Sequence, residues 1–179
     1  MSSGRLLGIC GSLRAASFNA MLMREAATTF DAQTFIEGDI RFPLYDGDLE
    51  EAEGIPAAVQ TLADQIDAAD AVLIVGPEYN KAISGVLKNA LDWISRTEGN
   101  PWLHKPTAIL SATAGRSGGE RTQSSMRECM AGFRPHMVLG PAVLVGSASQ
   151  SFEDGKVSNE INRKAIEGLM AELRSAAGL

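Results

Sequence analysis

Five short apolar runs alternate with segments of helical periodicity along the chain. The runs fall at residues 6–10, 34–37, 71–76, 107–111 and 136–145. The run AVLIVG at 71–76 has no polar alternation, which is typical of a central parallel strand covered on both faces. Apolar residues at helical spacing predict helices over residues 18–30, 56–69, 84–96, 120–132 and 159–176. Residues 39–54, with a proline, a glycine and an acidic cluster, are predicted to form a loop.

This alternation of strands and helices predicts an α/β fold, a doubly wound five-stranded parallel sheet with helices on both faces. A length of 179 residues suits a single domain covering residues 1–179. Ligands of such sheets bind beyond the carboxyl ends of the strands, where the strand order reverses. For the order 2-1-3-4-5, the loops after strands 1, 3 and 4 meet there, and these are the loops with unusual composition.

The loop after the first strand reads GICGSLRAASFN, residues 8–19. Gly11 permits a tight turn, Ser12 and Ser17 offer hydroxyl groups, and Arg14 brings a forked cation that matches phosphate oxygens. Ser17 also suits the N-cap of the helix that follows. Together with the positive end of that helix, these groups favour an anion site. A plain turn with a capping serine and a solvated arginine is the alternative.

The loops after the third and fourth strands also carry candidate binding groups. In GPEYN, residues 76–80, a rigid proline precedes Tyr79 and Asn80, a flat ring beside an amide, which suits a planar heterocycle with polar edges. In SATAGRSGGE, residues 111–120, three glycines allow close main-chain approach, and Thr113 and Arg116 add donors. Either loop alone could be an ordinary connection. Three such loops at adjacent strand ends favour one shared ligand site.

Charge and cysteine content narrow the functional classes. A net charge of -6, a pI near 4.9 and scattered basic residues argue against a nucleic-acid surface, so any attraction for phosphate must be local. No apolar run approaches the roughly 18 residues of a membrane span, and the first residues lack the apolar segment of a signal peptide, so we expect a cytoplasmic protein. Cys10 and Cys129 are too few and too distant to indicate a disulfide scaffold or a metal site.

Together, GSLRAASFN, GPEYNKAISGVLKNALDW and ATAGRSGG resemble motifs of the NADPH-dependent FMN reductases of flavodoxin-like fold. This family includes bacterial quinone, chromate and azo-dye reductases, and the resemblance spans about residues 6–146. It implies a flavodoxin-like sheet of order 2-1-3-4-5 with FMN as cofactor. The phosphate-binding positions of the family fall on Ser12, Arg14, Ser17, Phe18 and Asn19. The positions that line the isoalloxazine ring fall on Pro77, Glu78, Tyr79 and Asn80, and those at its polar edge on Thr113, Gly115, Arg116 and Gly118.

The resemblance also implies an activity. A member of this family takes hydride from NADPH or NADH and reduces quinones, free flavin, azo compounds or metal oxyanions by a ping-pong mechanism. The flavin carries the chemistry, so we assign no catalytic side chain. A homodimer or homotetramer is expected, and the apolar helix GVLKNALDWI is wide enough to cover a core and leave apolar surface for a second copy. Lys81 and Ser84 stand where many members have glycine and proline. The resemblance therefore does not define the pocket for the second substrate.

Other readings of the first loop fail on spacing. A phosphatase or arsenate reductase needs five residues between its nucleophilic cysteine and its arginine, but only three separate Cys10 from Arg14. The Gly-Lys-Ser/Thr of a P-loop and the G-x-G-x-x-G dinucleotide motif are absent.

His104 and His136 lie outside the three loops, so we expect no catalytic role for either. A flavodoxin-like carrier that passes single electrons to a protein partner is the remaining alternative, and slow direct oxidation of NADPH would distinguish it from a reductase.

Overall fold

The computed structural model describes residues 4–179. Its strands are β1 (Arg5–Cys10), β2 (Thr34–Gly38), β3 (Ala71–Val75), β4 (Pro106–Ala112), β5 (His136–Val145), β6 (Phe152–Glu153) and β7 (Lys156–Val157). Its helices are α1 (Phe18–Phe30), α2 (Gly47–Glu53), α3 (Ala57–Ala68), α4 (Gly85–Ile94), α5 (Glu120–Met130), α6 (Ala148–Ser151) and α7 (Glu160–Ala176), with a 3-10 turn at Ala131–Phe133. None of the helices between residues 4 and 179 combines the length and hydropathy of a membrane span.

Five parallel strands form one sheet in the order β2-β1-β3-β4-β5, which confirms the predicted topology. Successive side chains of each strand enter opposite cores. Leu6 packs with α1 and α7 on one face of the sheet, whereas Leu7 packs with α3 and α4 on the other. Every residue of β3 is buried, as expected for the central strand. This two-sided packing holds the carboxyl ends of β1, β3 and β4 side by side.

Two segments differ from the expected pattern. Residues 39–54 are not wholly a loop, because α2 forms within them. Asp46 caps α2 by accepting a hydrogen bond from the Asp48 N–H at 3.0 Å, and Glu50 reaches Arg96 at 3.0 Å. No residue of α2 is buried, so the helix has no apolar periodicity to reveal it. The second segment, 148–157, forms α6 and the small hairpin β6–β7, for which the sequence analysis made no prediction.

The hairpin β6–β7 packs on the start of α1. The Val157 N–H donates to the Glu25 carboxylate at 2.7 Å, and the Phe152 ring lies 5.3 Å from the Phe18 ring. Val157 is buried. The first turn of α1 is therefore braced from outside the sheet by a segment more than a hundred residues away.

The apolar side chains of α4 are core. Leu87, Leu91, Trp93 and Ile94 are all buried within the subunit. Residues 42–45 cover this helix, with the Pro43 carbonyl accepting a hydrogen bond from Trp93 Nε1 at 2.8 Å. The expectation of surplus apolar surface on α4 is therefore wrong for these four side chains, and they give no evidence for an oligomer.

Candidate functional site

The first and second loops meet at Gly11. Its N–H donates to the Val75 carbonyl at 2.8 Å, and its carbonyl accepts from the buried Ser84 hydroxyl at 2.6 Å. A Cβ on Gly11 would lie 3.3 Å from the Cα of Gly76 and 3.2 Å from Leu87. These distances are tighter than most Cβ contacts, so a side chain would push neighbouring atoms by a few tenths of an ångström, which favours the glycine. Ser84 is thus a contact between the two loops, a role that the sequence did not reveal.

The N-terminus of α1 leaves main-chain donors open toward the first loop. Ser17 Oγ accepts from the Ala20 N–H at 3.3 Å, which confirms Ser17 as the N-cap. Within residues 4–179, the N–H groups of Phe18 and Asn19 have no acceptor. Arg14 is exposed and makes no ion pair with any residue between 4 and 179. Two open donors, a helix dipole and an uncommitted guanidinium are the elements of an anion site.

The side chain of Asn19, in contrast, uses its oxygen and one of its two amide hydrogens inside the protein. Its Nδ2 donates to the Ala112 carbonyl and its Oδ1 accepts from the Ala112 N–H, both at 2.9 Å. Only 4% of the residue is exposed. These two bonds tie the first turn of α1 to the last residue of β4, next to the third loop. The main-chain N–H of Asn19 stays free for a ligand, whereas its second amide hydrogen belongs to a nearly buried side chain.

A tight turn shapes the second loop. Tyr79 and Ala82 exchange two main-chain hydrogen bonds of 3.1 Å, while Asn80 and Lys81 have positive φ angles of 51° and 69°. Positive φ at both central residues defines a type I′ turn, which favours asparagine and glycine. The turn leaves the Tyr79 side chain exposed beside the site. Glycine would adopt the conformation of Lys81 without strain, whereas a residue with a side chain adopts it at a cost.

Replacing Lys81 by glycine is expected to raise the free energy of unfolding by about 0.5 kcal/mol. Relief of a left-handed conformation contributes about 1–2 kcal/mol, and the greater entropy of glycine in the unfolded chain offsets roughly 0.5–1 kcal/mol. Urea denaturation followed by circular dichroism measures the change. Lys88→Gly, inside α4, is the control and should lower stability by about 1 kcal/mol. A loss at Lys81 equal to that at Lys88 would contradict the strain argument.

Glu78 joins the second loop to α5. The N-cap residue of α5, Gly119, has no side chain, and the Glu78 carboxylate accepts from the Thr122 N–H at 3.4 Å in its place. Thr122 also donates its hydroxyl to the Pro77 carbonyl at 3.0 Å. The Lys81 ammonium lies 3.6 Å from the second carboxylate oxygen of Glu78. A carboxylate at a helix N-terminus is favourable, so Glu78 orders the second loop against the third.

The third loop leaves β4 between fixed contacts on both sides. The Thr113 N–H donates to the Val145 carbonyl at 2.9 Å, and the Gly115 carbonyl accepts from the Ser147 N–H at 3.1 Å. Gly115 and Arg116 are exposed beyond these contacts. Gly118 is buried, and its carbonyl accepts from the Ser111 hydroxyl at 2.6 Å. The start and end of the loop are thus held while its middle is open.

The structure brings the three loops together, and each predicted site residue lies on one of them. The sequence analysis missed the residues that join one loop to another, which are Ser84, Ala112 and Thr122, and it missed Gln123, which joins Ser111 at the start of the third loop to β5. Gln123 is buried and donates to both the Ser111 hydroxyl at 3.0 Å and the Val143 carbonyl at 2.8 Å. Their partners lie far away in the sequence or on the main chain, so no local pattern indicates them.

The thiol of Cys10 lines a cavity of about 350 Å³ between the first loop and the end of β2, and Ser12 and Arg14 line the same cavity. Its Sγ lies 3.6 Å from the Ser12 carbonyl and 4.0 Å from the Ser17 hydroxyl. Burial raises the pKa of the Cys10 thiol above its ordinary value, and the contacts to Ser12 and Ser17 only partly oppose this. A thiol that stays protonated at neutral pH is a poor nucleophile, which agrees with the spacing argument against a phosphatase.

The raised pKa of Cys10 predicts a pH dependence. The folded protein holds the thiol proton after the unfolded chain has lost it, so this contribution to stability is complete below the unfolded-state pKa. It is lost as the pH rises through the folded pKa. Alkylation of Cys10 by iodoacetamide, followed by mass spectrometry, should accelerate only above the ordinary thiol range. Half-maximal alkylation below that range would contradict this, and Cys10→Ser should remove the part of the alkaline loss of stability that the thiol contributes.

Comparison with known proteins places this geometry in a family. The model of the family described as NADPH-dependent FMN reductase matches residues 5–150. The NAD(P)H-dependent FMN reductase of Pseudomonas aeruginosa is 40% identical over 173 residues, covering 95% of this chain and 93% of the relative. The quinone reductase of Escherichia coli K12 is 36% identical over 174 residues, covering 94% and 91%.

A solved structure has the same fold. The FerB flavoenzyme from Paracoccus denitrificans, an NAD(P)H:(acceptor) oxidoreductase, superposes with a TM-score of 0.86 at 28% identity and covers 98% of this chain and 97% of its own. The flavodoxin-like strand order, the family match over most of the chain and the curated relatives all lead to the same conclusion. The chain belongs to the NADPH-dependent FMN reductase family and is an oxidoreductase that uses FMN together with NAD(P)H.

Proposed function

We propose that the whole chain, residues 1–179, is a single domain that holds FMN across the three loops and reduces a small acceptor by a ping-pong mechanism. The observation that carries this proposal is the pair of open N–H groups on Phe18 and Asn19 at the start of α1, beside an uncommitted Arg14. Open N–H groups at a helix start beside an exposed arginine suit a phosphate dianion, even in a protein of net charge -6.

The phosphate end of the proposed site consists of the first loop. The N–H groups of Phe18 and Asn19 point out of the first turn of α1, where the helix dipole favours negative charge. The hydroxyl groups of Ser12 and Ser17 lie in the same loop, although Ser17 already accepts from the Ala20 N–H. Its hydroxyl hydrogen can donate either to the Cys10 Sγ, which lies 4.0 Å away, or to a ligand. Arg14 supplies the positive charge.

The ring end consists of the second and third loops. Tyr79 and Asn80 offer a flat surface and an amide next to it, and Pro77 and Glu78 hold their turn against α5. Thr113, Gly115, Arg116 and Gly118 form the polar edge of the proposed site. Its donors are the exposed residues Gly115 and Arg116, because the Thr113 N–H and hydroxyl already donate to the Val145 and Gly115 carbonyls. FMN held there would supply hydride and electron transfer between the nicotinamide cofactor and the acceptor. The residues of this chain bind and orient the ring, and leave one open face for both substrates in turn.

The acceptor class rests on similarity. A quinone is the acceptor that the name of the Escherichia coli relative gives, and we propose quinones first. Free flavin, azo compounds and metal oxyanions stay as further candidate acceptors, because an open flavin face discriminates little between them. Parallel lines in double-reciprocal plots against NADPH and quinone concentrations would support ping-pong kinetics, whereas intersecting lines would refute them.

The test of the FMN site compares FMN with riboflavin, which lacks the phosphate. Losing a hydrogen bond to a charged group costs about 1.5–3 kcal/mol, so Arg14→Gln should weaken FMN binding about 10- to 100-fold. Riboflavin binding should not change. Arg163→Gln, on the exposed face of α7, is the control and should bind both flavins as the parent protein does. Fluorescence quenching gives both affinities.

Anaerobic mixing of the FMN-loaded protein with NADPH tests the reductase activity. Rapid bleaching of the flavin absorption is the expected result. Bound flavin that NADPH does not reduce would favour the electron carrier, and failure to retain FMN would overturn the proposed site.

A homodimer or homotetramer and a cytoplasmic location stay predictions. Leu44 and Leu139, which are 81% and 68% exposed, are apolar side chains that a second copy would cover. Light scattering coupled to size-exclusion chromatography gives the mass directly, and a monomeric mass would contradict the oligomer.

A further inference from the structure

Asn19 completes the hydrogen bonding of a strand end. In a parallel sheet, the N–H and C=O of one residue point toward the same neighbouring strand. Strand β3 ends at Val75, opposite Leu110, so β4 extends two residues beyond it to Ala112. The side-chain amide of Asn19 takes the place that β3 has vacated, because it both donates to and accepts from Ala112 at 2.9 Å. The amide acts as a substitute peptide group.

The other side of the same strand end is held by β5. Ala112 pairs with Val145, and the next N–H, that of Thr113, donates to the Val145 carbonyl. The third loop therefore starts from a main chain that is held by β5 on one side and by Asn19 on the other. Asn19 is also in the first turn of α1, adjacent to the open N–H groups of the first loop. One buried side chain thus connects the two ends of the proposed FMN site.

We propose that the Asn19 side chain is a positioning group that holds the first loop and the third loop at a fixed relative position, and that it makes no contact with the phosphate. This inference rests on the proposed FMN site. The side-chain oxygen and one amide hydrogen of Asn19 already bind Ala112, and the residue is 4% exposed. Only its main-chain N–H serves the anion. The contribution of the side chain to flavin binding therefore comes from the relative placement of two loops.

The chain contains a matched control. Asn89 on α4 makes the same kind of double contact, because its Nδ2 donates to the Pro43 carbonyl at 2.9 Å and its Oδ1 accepts from the Tyr45 N–H at 2.8 Å. It is also buried. Asn89 connects α4 to the segment 43–45 and touches neither the first nor the third loop. Removing it imposes a similar loss of buried hydrogen bonds at a different place.

The experiment compares Asn19→Ala, Asn89→Ala and Arg14→Gln for FMN and riboflavin affinity. A positioning role predicts that Asn19→Ala weakens both flavins by a similar factor of about 10, the size expected for losing buried hydrogen bonds. Arg14→Gln should weaken FMN alone. If Asn19→Ala weakens FMN and leaves riboflavin unchanged, Asn19 is a phosphate ligand and the proposal is wrong. An equal loss for Asn89→Ala would also overturn it, since general destabilisation would then explain the effect.

Hydrogen exchange in the protein without flavin tests separately whether the Asn19 side chain holds the end of β4; we call this pair of hydrogen bonds to Ala112 the clamp. Asn19→Ala should speed exchange of the Ala112 and Thr113 amides at least tenfold, whereas Asn89→Ala should leave these amides unchanged. Unchanged exchange in Asn19→Ala would overturn the proposal about Asn19, whether or not the protein binds flavin. Failure of the parent protein to bind flavin would refute the FMN site instead. Asn19→Asp keeps the acceptor for the Ala112 N–H and supplies an intermediate variant if Asn19→Ala does not fold. Faster exchange at Ala112 and Thr113 is expected there too, because a carboxylate cannot donate to the Ala112 carbonyl, and no change would refute the clamp.

Discussion

Replacing Gly118 by alanine should lower the free energy of unfolding by about 2–5 kcal/mol. Its φ is 65°, where a residue with a side chain loses about 1–2 kcal/mol. A Cβ would also lie 2.5 Å from the carbonyl carbon and 2.7 Å from the oxygen of Leu144. Leu144 pairs with Ser111 in the sheet, so its main chain cannot move away freely, and overpacking adds about 1–3 kcal/mol.

Gly115→Ala is the control for this prediction. It lies in the same loop, has no atom within 4 Å of an added Cβ and has no positive φ, so its stability should change by less than about 0.5 kcal/mol. Urea unfolding monitored by circular dichroism measures both variants. Similar effects at the two glycines would show that the contact with Leu144 does not constrain the third loop.

Trp93→Ala should lower the free energy of unfolding by about 3–5 kcal/mol, the range for truncating a fully buried aromatic residue. Trp93 is 0% exposed, and the Tyr45 ring meets it edge to face at 5.1 Å. Its Nε1 donates to the Pro43 carbonyl at 2.8 Å. The substitution therefore leaves a cavity and also releases the segment that covers α4. Chemical denaturation gives the loss.

Two phenylalanine substitutions separate packing from hydrogen bonding. Trp93→Phe loses ring volume and the bond to Pro43, whereas Trp102→Phe loses volume alone, since Trp102 Nε1 has no partner within residues 4–179. Both tryptophans are buried to a similar degree. Trp93→Phe should therefore cost about 1 kcal/mol more than Trp102→Phe. The opposite order would show that the bond to Pro43 contributes nothing.

The two departures from the family motifs have structural reasons. Lys81 occupies the second left-handed position of the Tyr79–Ala82 turn and lies near Glu78, so its charge is partly neutralised within its own loop. Ser84 uses its hydroxyl to bind the Gly11 carbonyl, a contact that proline cannot make. Neither residue disturbs the first loop. The Lys81 side chain itself stays 72% exposed.

The local sequence was sufficient to predict the sheet and most of the helices. Apolar runs and helical periodicity depend on neighbouring residues, so they located all five strands of the sheet and α1, α3, α4, α5 and α7. The N-cap at Ser17 was predictable for the same reason, because its partner Ala20 lies three residues away. The three loops followed from the strand order. The segments that escaped were short, exposed or stabilised by distant contacts, as in α2 and β6–β7.

Only the tertiary structure decided how the loops are joined. Asn19 and Ala112 are 93 residues apart, and Ser84 and Gly11 are 73 residues apart. In each pair one partner is a main-chain group, which every residue possesses, so no choice of residue type marks it in the sequence. Asn19 therefore reads in the sequence as part of a binding motif, while in the folded chain its side chain is held by the end of β4. The sequence determined which groups reach the site, and packing determined which of them stay free to bind.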